Sequence, residues 1–144
     1  MTKEEIFNII NANLPTVMYV ATSENGQPHV RGILLFRADE NGIIFHTGEM
    51  KDLYRQLLAN PNAEVCFESG KYQVRVEGKF ELVNDDNLKR EILNHPSRAF
   101  LRNWANEQGE QAVLDFLRVF RMTHGKAHVW TMEDNFKPKE YVML

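Results

Sequence analysis

The stretch from Tyr72 to Val83 reads YQVRVEGKFELV and carries the clearest strand pattern in the chain. Along it, apolar or small residues (Tyr72, Val74, Val76, Gly78 and Phe80) alternate with polar or charged residues (Gln73, Arg75, Glu77 and Lys79). Successive side chains of a β-strand point to opposite faces of the sheet, so this alternation is typical of a strand that is buried on one face only. The sequence therefore predicts that the sheet has one buried face and one solvent-exposed face at this strand.

Five further strand-like stretches lie on either side of it, separated by turn signals such as Asn25-Gly26. They cover residues 16–22, 29–37, 43–47, 63–68 and 120–132. The first three are joined by hairpin loops and are predicted to form a meander of neighbouring strands. Helices are predicted over residues 2–14, 50–60, 85–95 and 97–118, the last with a break at Gly109.

Six short antiparallel strands with helical additions predict a mainly β fold with helices, of the α+β kind. A small antiparallel barrel that carries a helical insertion at residues 85–118 accounts for this order of elements. An α+β sandwich is the alternative that the pattern leaves open.

The composition is that of a chain that folds as one domain over residues 1–144. Its 17 Lys and Arg against 20 Asp and Glu give a net charge of −3. The chain therefore lacks the excess of basic residues that is typical of nucleic-acid-binding proteins. The longest apolar run is far shorter than the ~20 residues of a membrane span. The single cysteine, Cys66, excludes an internal disulfide, and the chain starts without a signal-peptide pattern. We therefore expect a cytoplasmic protein with no nucleic-acid or membrane partner.

The histidine and cysteine residues predict neither a metal site nor a nucleophile. His124 and His128 are four residues apart, which suits zinc on a helix, whereas the residues around them favour a strand. Cys66 lies in an apolar strand with no visible base, so we expect a buried small residue.

The region around Thr47 is more informative about chemistry. A predicted strand ends at His46-Thr47, a glycine follows, and Lys51 opens a predicted helix. Free backbone N–H groups at a helix start, a hydroxyl and an ammonium group together can cradle a phosphate. Arg31 would reach the same phosphate if its side chain faces that end of the sheet. The alternative is an N-cap Thr47 with Lys51 and Arg31 simply solvated.

Five short motifs cover the chain from residue 26 to residue 130. They are GQPHVRGIL at 26–34, FHT at 45–47 followed by Lys51, NPNA at 60–63, QVRVEG at 73–78 and AHVW at 127–130. In this order and spacing they resemble the pyridoxamine 5′-phosphate oxidase-like family, the FMN-binding split barrels. The similarity is greatest to the family's short general-stress-protein and nitroimidazole-resistance branches.

The resemblance implies a six-stranded antiparallel split β-barrel of the FMN-binding type, forming a homodimer with FMN at the subunit interface. Carried over by position, Arg31 and Lys51 would bind the FMN phosphate and Thr47 would add a hydroxyl contact. The remaining implied cofactor-binding residues are Gly32, Ile33 and Leu34 at the edge of the isoalloxazine, His46 near the flavin, Gln73 near the ring or from the partner subunit, and Trp130 flanking the site.

The resemblance further implies an FMN-dependent oxidoreductase that acts on a small molecule. Because no other catalytic set is evident in the sequence, we expect the flavin to pass electrons from a reduced nicotinamide to a small-molecule acceptor, with His46 tuning the ring or donating a proton near it. The alternative is an FMN-binding, sensing or stress protein without efficient turnover, and a deazaflavin or haem is a third possibility on this fold. Two departures argue against vitamin B6 oxidation. Met50 replaces the arginine of the family's Arg-Lys pair, and the C-terminal Arg-x-His element is absent.

Overall fold

The computed structural model describes residues 1–144 as nine strands, five α-helices and one 3₁₀ helix. The strands are β1 (Val17–Glu24), β2 (Gln27–Leu34), β3 (Arg37–Asp39), β4 (Gly42–Gly48), β5 (Asn62–Ser69), β6 (Tyr72–Val83), β7 (Leu117–Met122), β8 (Lys126–Trp130) and β9 (Val142–Met143). The helices are α1 (Lys3–Asn11), α2 (Asp52–Ala59), α3 (Asp86–Asn94), the 3₁₀ helix η1 (Pro96–Arg98), α4 (Ala99–Gln108) and α5 (Glu110–Phe116).

The strands form one antiparallel sheet in the order β2-β1-β5-β6-β7-β4-β3, with β8 pairing β6 and β9 pairing β8. The long strand β6 joins the two halves of this sheet. Its first half pairs with β5 and β8, and residues Phe80–Val83 pair with β7. The sheet begins at β2 and ends at β3 without closing, which is the arrangement of a split barrel. The predicted fold class, mainly β with a helical insertion, is confirmed.

The number and pairing of the strands differ from the prediction. The stretch 29–37 divides into β2 and β3, and the backbone N–H of Phe36 between them bonds the carbonyl of Ile44 at 2.9 Å. The stretch 120–132 divides into β7 and β8 at a turn where His124 has φ +57°. The predicted second hairpin is present between β3 and β4, but the meander is not continuous, because β2 pairs only with β1 while β4 pairs with β3 and β7.

Two apolar clusters share the strand β4. Inside the barrel, the ring of Phe45 stacks on Phe120 at 5.6 Å and meets Phe80 edge-on at 4.9 Å. On the other face of the same strand, Ile44 packs with the buried residues of α3, α4 and α5. Neighbouring residues of a strand alternate between faces, so Phe45 and Ile44 are buried in different compartments. This explains why β4 is apolar without the alternation that β6 shows.

The helix α2 packs against β1 and β4 through Leu53, Gln56 and Leu57. None of the helices combines the length and the apolar composition that a membrane span requires. The expectation that Cys66 is buried needs a correction. Val65 and Phe67 are the residues of β5 that enter the core, so Cys66 lies half-buried on the opposite face of the strand.

Candidate functional site

Arg31 projects from β2 toward α2 and is fixed there by three acceptors. Its guanidinium donates hydrogen bonds to the Val20 carbonyl at 3.2 Å, to Thr22 Oγ1 at 2.8 Å and to Gln56 Oε1 at 2.5 Å. Thr22 and Gln56 are buried and are themselves joined by a hydrogen bond of 2.6 Å. No local sequence pattern predicts this network, which holds the guanidinium in one place between β1 and α2.

Arg31 and Lys51 are cations with no acidic group at salt-bridge distance. Neither side chain forms a salt bridge, and the Nε–H of Arg31 makes no hydrogen bond. Burial lowers the pKa of Arg31 below its ordinary value, and the charge of Asp52 opposes that shift. Lys51 occupies the N-cap position of α2 and makes no side-chain capping bond. The first turn of α2 thus adds uncapped backbone N–H groups to two unpaired cations.

Thr47 lies near the end of β4, where the chain turns into α2. It pairs with Arg118 of β7 and is half-buried, and the backbone N–H of Lys51 bonds the carbonyl of Gly48 at 3.0 Å. This tight turn places Thr47 four residues before the N-cap of α2. Arg31 reaches the same helix from β2, through Gln56 and beside Asp52. The structure therefore brings the predicted phosphate-binding residues to one helix from two strands.

His46 lies on the opposite face of β4 from Thr47, toward the helical insertion. Its Nε2 accepts a hydrogen bond of 2.7 Å from Nε of Arg98. Arg98 belongs to η1 and is completely buried, with the ring of Phe36 5.4 Å from its guanidinium carbon. The ring of Phe100, on α4, lies 6.2 Å from the His46 ring. The insertion therefore supplies the immediate surroundings of His46.

Sequence reasoning missed Arg98 as a residue of this region. Arg98 follows the sequence His95-Pro96, which ends a helix, and arginine is usually an exposed residue. A buried arginine and a solvated one look the same in a single sequence. The contact with His46 spans 52 positions along the chain, so no local pattern could reveal it.

The imidazole of His46 is neutral at physiological pH. Burial, together with the positive charge of Arg98, lowers the pKa of His46 from 6.5 to about 4. The expectation that His46 tunes the flavin ring or donates a proton near it stays a prediction, with the neutral ring as the form present. The neutral ring still carries one N–H that can donate a hydrogen bond.

We expect the free energy of unfolding to fall as the pH is lowered from 6.5 to about 4, partly because of His46. In this range the unfolded chain binds a proton at His46 that the folded chain does not, so acid favours unfolding. Urea denaturation at a series of pH values measures this slope. His46→Gln is the matched variant, because its amide oxygen can accept the Arg98 bond but does not titrate. If the free energy of unfolding changed with pH in the same way in the wild type and in His46→Gln, the pKa of His46 would not be lowered in the folded protein.

Gln73 and Trp130 lie together, but away from Arg31. They are cross-strand partners on β6 and β8, on the outer face of the sheet, and Trp130 Nε1 donates to Asn135 Oδ1 at 2.9 Å. At the ~4.8 Å spacing of neighbouring strands, β6 is three strands or ~14 Å from β2. Arg31 also lies on the inner face of the sheet, beside the buried residues of β1. Within one chain, the predicted cofactor-binding residues therefore form two separate groups.

The outer face carries a cleft of about 560 Å³ beside Trp130, closed on one side by residues 134–140 of the C-terminal tail. Arg75 and His128 also line this cleft. A second cleft of about 410 Å³ lies between α2 and the helices α3 and α5, and includes Arg118. Neither cleft contains Arg31 or Lys51.

A split barrel in which Arg31 of β2 contacts α2 and Lys51 is the N-cap residue of the same helix defines the class of protein, and comparison with known sequences gives the family. Residues 2–131 match the family described as Pyridoxamine 5′-phosphate oxidase. The chain belongs to this family, so the resemblance inferred from its motifs is confirmed.

Individual relatives agree with this assignment. The chain is 36% identical over 97 residues to a pyridoxine/pyridoxamine 5′-phosphate oxidase of Burkholderia mallei, an alignment that covers 65% of this chain and 45% of that protein. The chain thus matches less than half of the length of that relative.

Two solved structures share the fold. A NimC/NimA family protein from Clostridium acetobutylicum superposes with a TM-score of 0.74 at 19% identity, covering 98% of this chain and 92% of that one. General Stress Protein 26 from Bacillus anthracis gives a TM-score of 0.70 at 17% identity, covering 100% of both chains.

Proposed function

We propose that this protein is an FMN-dependent oxidoreductase that transfers electrons to a small-molecule acceptor. The observation that carries the proposal is that two cations without a salt bridge lie against α2: Lys51 at its uncapped N-terminus, and Arg31, which bonds Gln56 in its second turn. Neither forms a salt bridge in the chain, and a phosphate group would supply a negative charge to both. Membership of the pyridoxamine 5′-phosphate oxidase family supports a flavin as the molecule that bears this phosphate.

The residues around the cation pair suit a phosphate of this kind. The Arg31 guanidinium is held by Thr22 and Gln56 and keeps its Nε–H free, so it can bind an oxygen without first being ordered. The backbone N–H groups of the first turn of α2 and the hydroxyl of Thr47 add neutral donors. The fold would therefore hold these donor groups in position before a phosphate binds.

A different set of groups would hold the flavin ring. Because β2 is an edge strand that pairs only with β1, one side of the backbone at Gly32, Ile33 and Leu34 has no strand partner. Polar backbone groups at a free edge can bond a planar heterocycle that has its own donors and acceptors. FMN would supply the redox chemistry, while the chain's residues bind and orient it.

The site is proposed to be completed by a second copy of the chain. The outer face of β1 and β2 exposes Val17, Tyr19 and Val30, whose exposures are 46%, 46% and 69%. An apolar face of this kind suits a two-fold partner. Gln73 and Trp130 lie on the opposite face of the sheet from Arg31, whereas a partner's copies could supply them on the side of the ligand. We therefore propose a homodimer with FMN at its interface.

Light scattering of the FMN-loaded protein is expected to give twice the mass of one chain at micromolar concentration. The mass should fall toward that of one chain in a Val30→Glu variant, because a carboxylate would be buried in the proposed interface. Lys79→Glu, an exposed change on β6, is the control for the added charge. A wild-type protein that stays monomeric with FMN present would contradict the dimer.

Replacing Lys51 with alanine is expected to weaken FMN binding by about tenfold or more, because it removes one charge-assisted bond to the phosphate. Thermal stability should not change, since the Lys51 side chain makes no hydrogen bond or salt bridge. Quenching of flavin fluorescence measures the affinity, and Lys79→Ala serves as the control for lost surface charge. Riboflavin lacks the phosphate, so its affinity for Lys51→Ala and for Lys79→Ala should equal its affinity for the wild type. An equal loss of riboflavin affinity would mean that Lys51 does not contact phosphate.

Turnover is the test of the proposed activity. The purified protein is expected to show the absorption spectrum of bound oxidised flavin, which also separates FMN from a deazaflavin or haem. With NADH or NADPH and a small electron acceptor, it should oxidise the nicotinamide faster than the same concentration of free FMN. A rate equal to that of free FMN would favour a binding or sensing protein.

A further inference from the structure

The arginine beside His46 is a buried cation whose hydrogen bonds are all satisfied inside the chain. Arg98 has no acidic partner. Its Nη2 donates to the carbonyls of Leu34 and Leu35 at 3.3 and 3.0 Å, and its Nη1 donates to the carbonyl and Oγ of Ser97 at 3.4 and 3.0 Å. The fifth N–H, on Nε, donates to His46. A guanidinium has five N–H groups, so none is left to bind a ligand directly.

The bond between Arg98 and His46 decides which nitrogen of the imidazole carries the proton. The guanidinium stays protonated in proteins and can only donate, so Nε2 of His46 must be the acceptor and must lack a proton. In a neutral ring the single proton then lies on Nδ1. The geometry of one 2.7 Å contact thus fixes the tautomer.

The other nitrogen of His46 is directed away from protein partners. Nδ1 makes no hydrogen bond in the chain. The buried side-chain nitrogens without a partner are Nε of Arg37 and Nε of Arg121, and Nδ1 of His46 is not among them. The N–H on Nδ1 therefore reaches the surface, in the region where Arg98 also holds the carbonyls at the end of β2.

We propose that Arg98 is a positioning residue, which holds His46 in the Nδ1–H tautomer so that the ring presents a neutral hydrogen-bond donor to the bound flavin or its acceptor. The part that concerns the ligand rests on the proposed function, and the tautomer does not. A neutral donor placed in this way polarises an acceptor atom without introducing a second charge beside the buried guanidinium. The bonds from Arg98 to the carbonyls of Leu34 and Leu35 connect the Arg98–His46 pair to the end of β2. At the ~3.4 Å rise of each strand residue, Leu34 lies about 10 Å along the strand from Arg31.

Long-range ¹H–¹⁵N spectra of the ¹⁵N-labelled wild-type protein without cofactor test the tautomer at pH 7.5. His46 is expected to show a protonated Nδ1 and an unprotonated Nε2, whereas the exposed His124, which has no hydrogen-bond partner, should show exchange between both forms. An Nε2–H tautomer, or a doubly protonated ring, at His46 would overturn the proposal without any variant.

Two variants then test the part played by Arg98. Arg98→Met removes the charge and all five N–H donors, so His46 is expected to lose its single tautomer and exchange between both forms. Arg102→Ala, at a partly exposed arginine of α4, should leave His46 as in the wild type. A folded Arg98→Met protein in which His46 keeps the Nδ1–H form would overturn the proposal. If Arg98→Met does not fold, the wild-type spectrum still decides the tautomer.

Cofactor addition separates this proposal from the proposed function. FMN and riboflavin are both expected to shift the Nδ1–H signal of His46, because the proposal places the flavin ring, which both molecules share, beside it. FMN that binds by fluorescence but leaves this signal unmoved would overturn the ligand role of His46. A protein that binds no flavin would refute the proposed function, while the spectra without cofactor would still test the Arg98–His46 pair.

Discussion

Replacing Arg31 with alanine is expected to lower FMN affinity by roughly ten- to a hundredfold, or ~1.5–3 kcal/mol. The substitution removes a charge-assisted bond to the phosphate. It also leaves the buried Thr22 and Gln56 without the guanidinium that now joins β1, β2 and α2. We therefore expect a lower melting temperature for Arg31→Ala as well as weaker binding, in contrast to Lys51→Ala, which should affect binding alone.

The control for Arg31 separates the phosphate contact from the structural effect. Riboflavin affinity reports on the ring site and should fall by far less than FMN affinity. Thr22→Val keeps Arg31 but removes one of its acceptors, so this variant should lose stability and retain most of the FMN affinity. If Arg31→Ala weakened riboflavin and FMN equally, the role of Arg31 would be to support the fold.

Truncating Phe45 to alanine is expected to lower the free energy of unfolding by ~3–5 kcal/mol. Phe45 is 0% exposed and packs against Phe80 and Phe120, so the change leaves a cavity in the centre of the barrel. Urea denaturation measures the loss. Phe100→Ala is the matched control, since this ring is 50% exposed on α4, and it should cost ~1 kcal/mol or less. Equal losses for both variants would contradict the central position of Phe45.

Local signals explain what the sequence could predict of the fold. The alternation in β6 reflects a strand with one buried face, and the capping box of Thr2 and Glu5 is present in α1. Asp85 caps α3 through the backbone N–H groups of Asn87 and Leu88, and the break at Gly109 occurs at φ +97°. Each of these features depends on residues within a few positions of one another.

Features that depend on distant residues could not be predicted in the same way. The end of β2 is set by the bond from Phe36 to Ile44, and the surroundings of His46 are set by Arg98. Likewise, nothing in the sequence of α2 distinguishes Gln56, which is buried beneath Arg31, from an exposed glutamine. For the site, the motifs predicted which residues bind a cofactor, and that assignment stays a prediction until binding is measured.

The strand β4 is buried on both of its faces, and this limits how its sequence can change in evolution. His46 and Thr47 are adjacent in the chain but belong to different compartments, one beside the helical insertion and one beside α2. Inserting or deleting a single residue in β4 would exchange the faces of every residue that follows in the strand. The strand can therefore accept substitutions far more readily than changes in length. The helices at 86–116 pack on the face of β4 that carries Ile44 and His46, so new shapes around His46 can arise there by insertion and deletion while the surroundings of Thr47 remain intact.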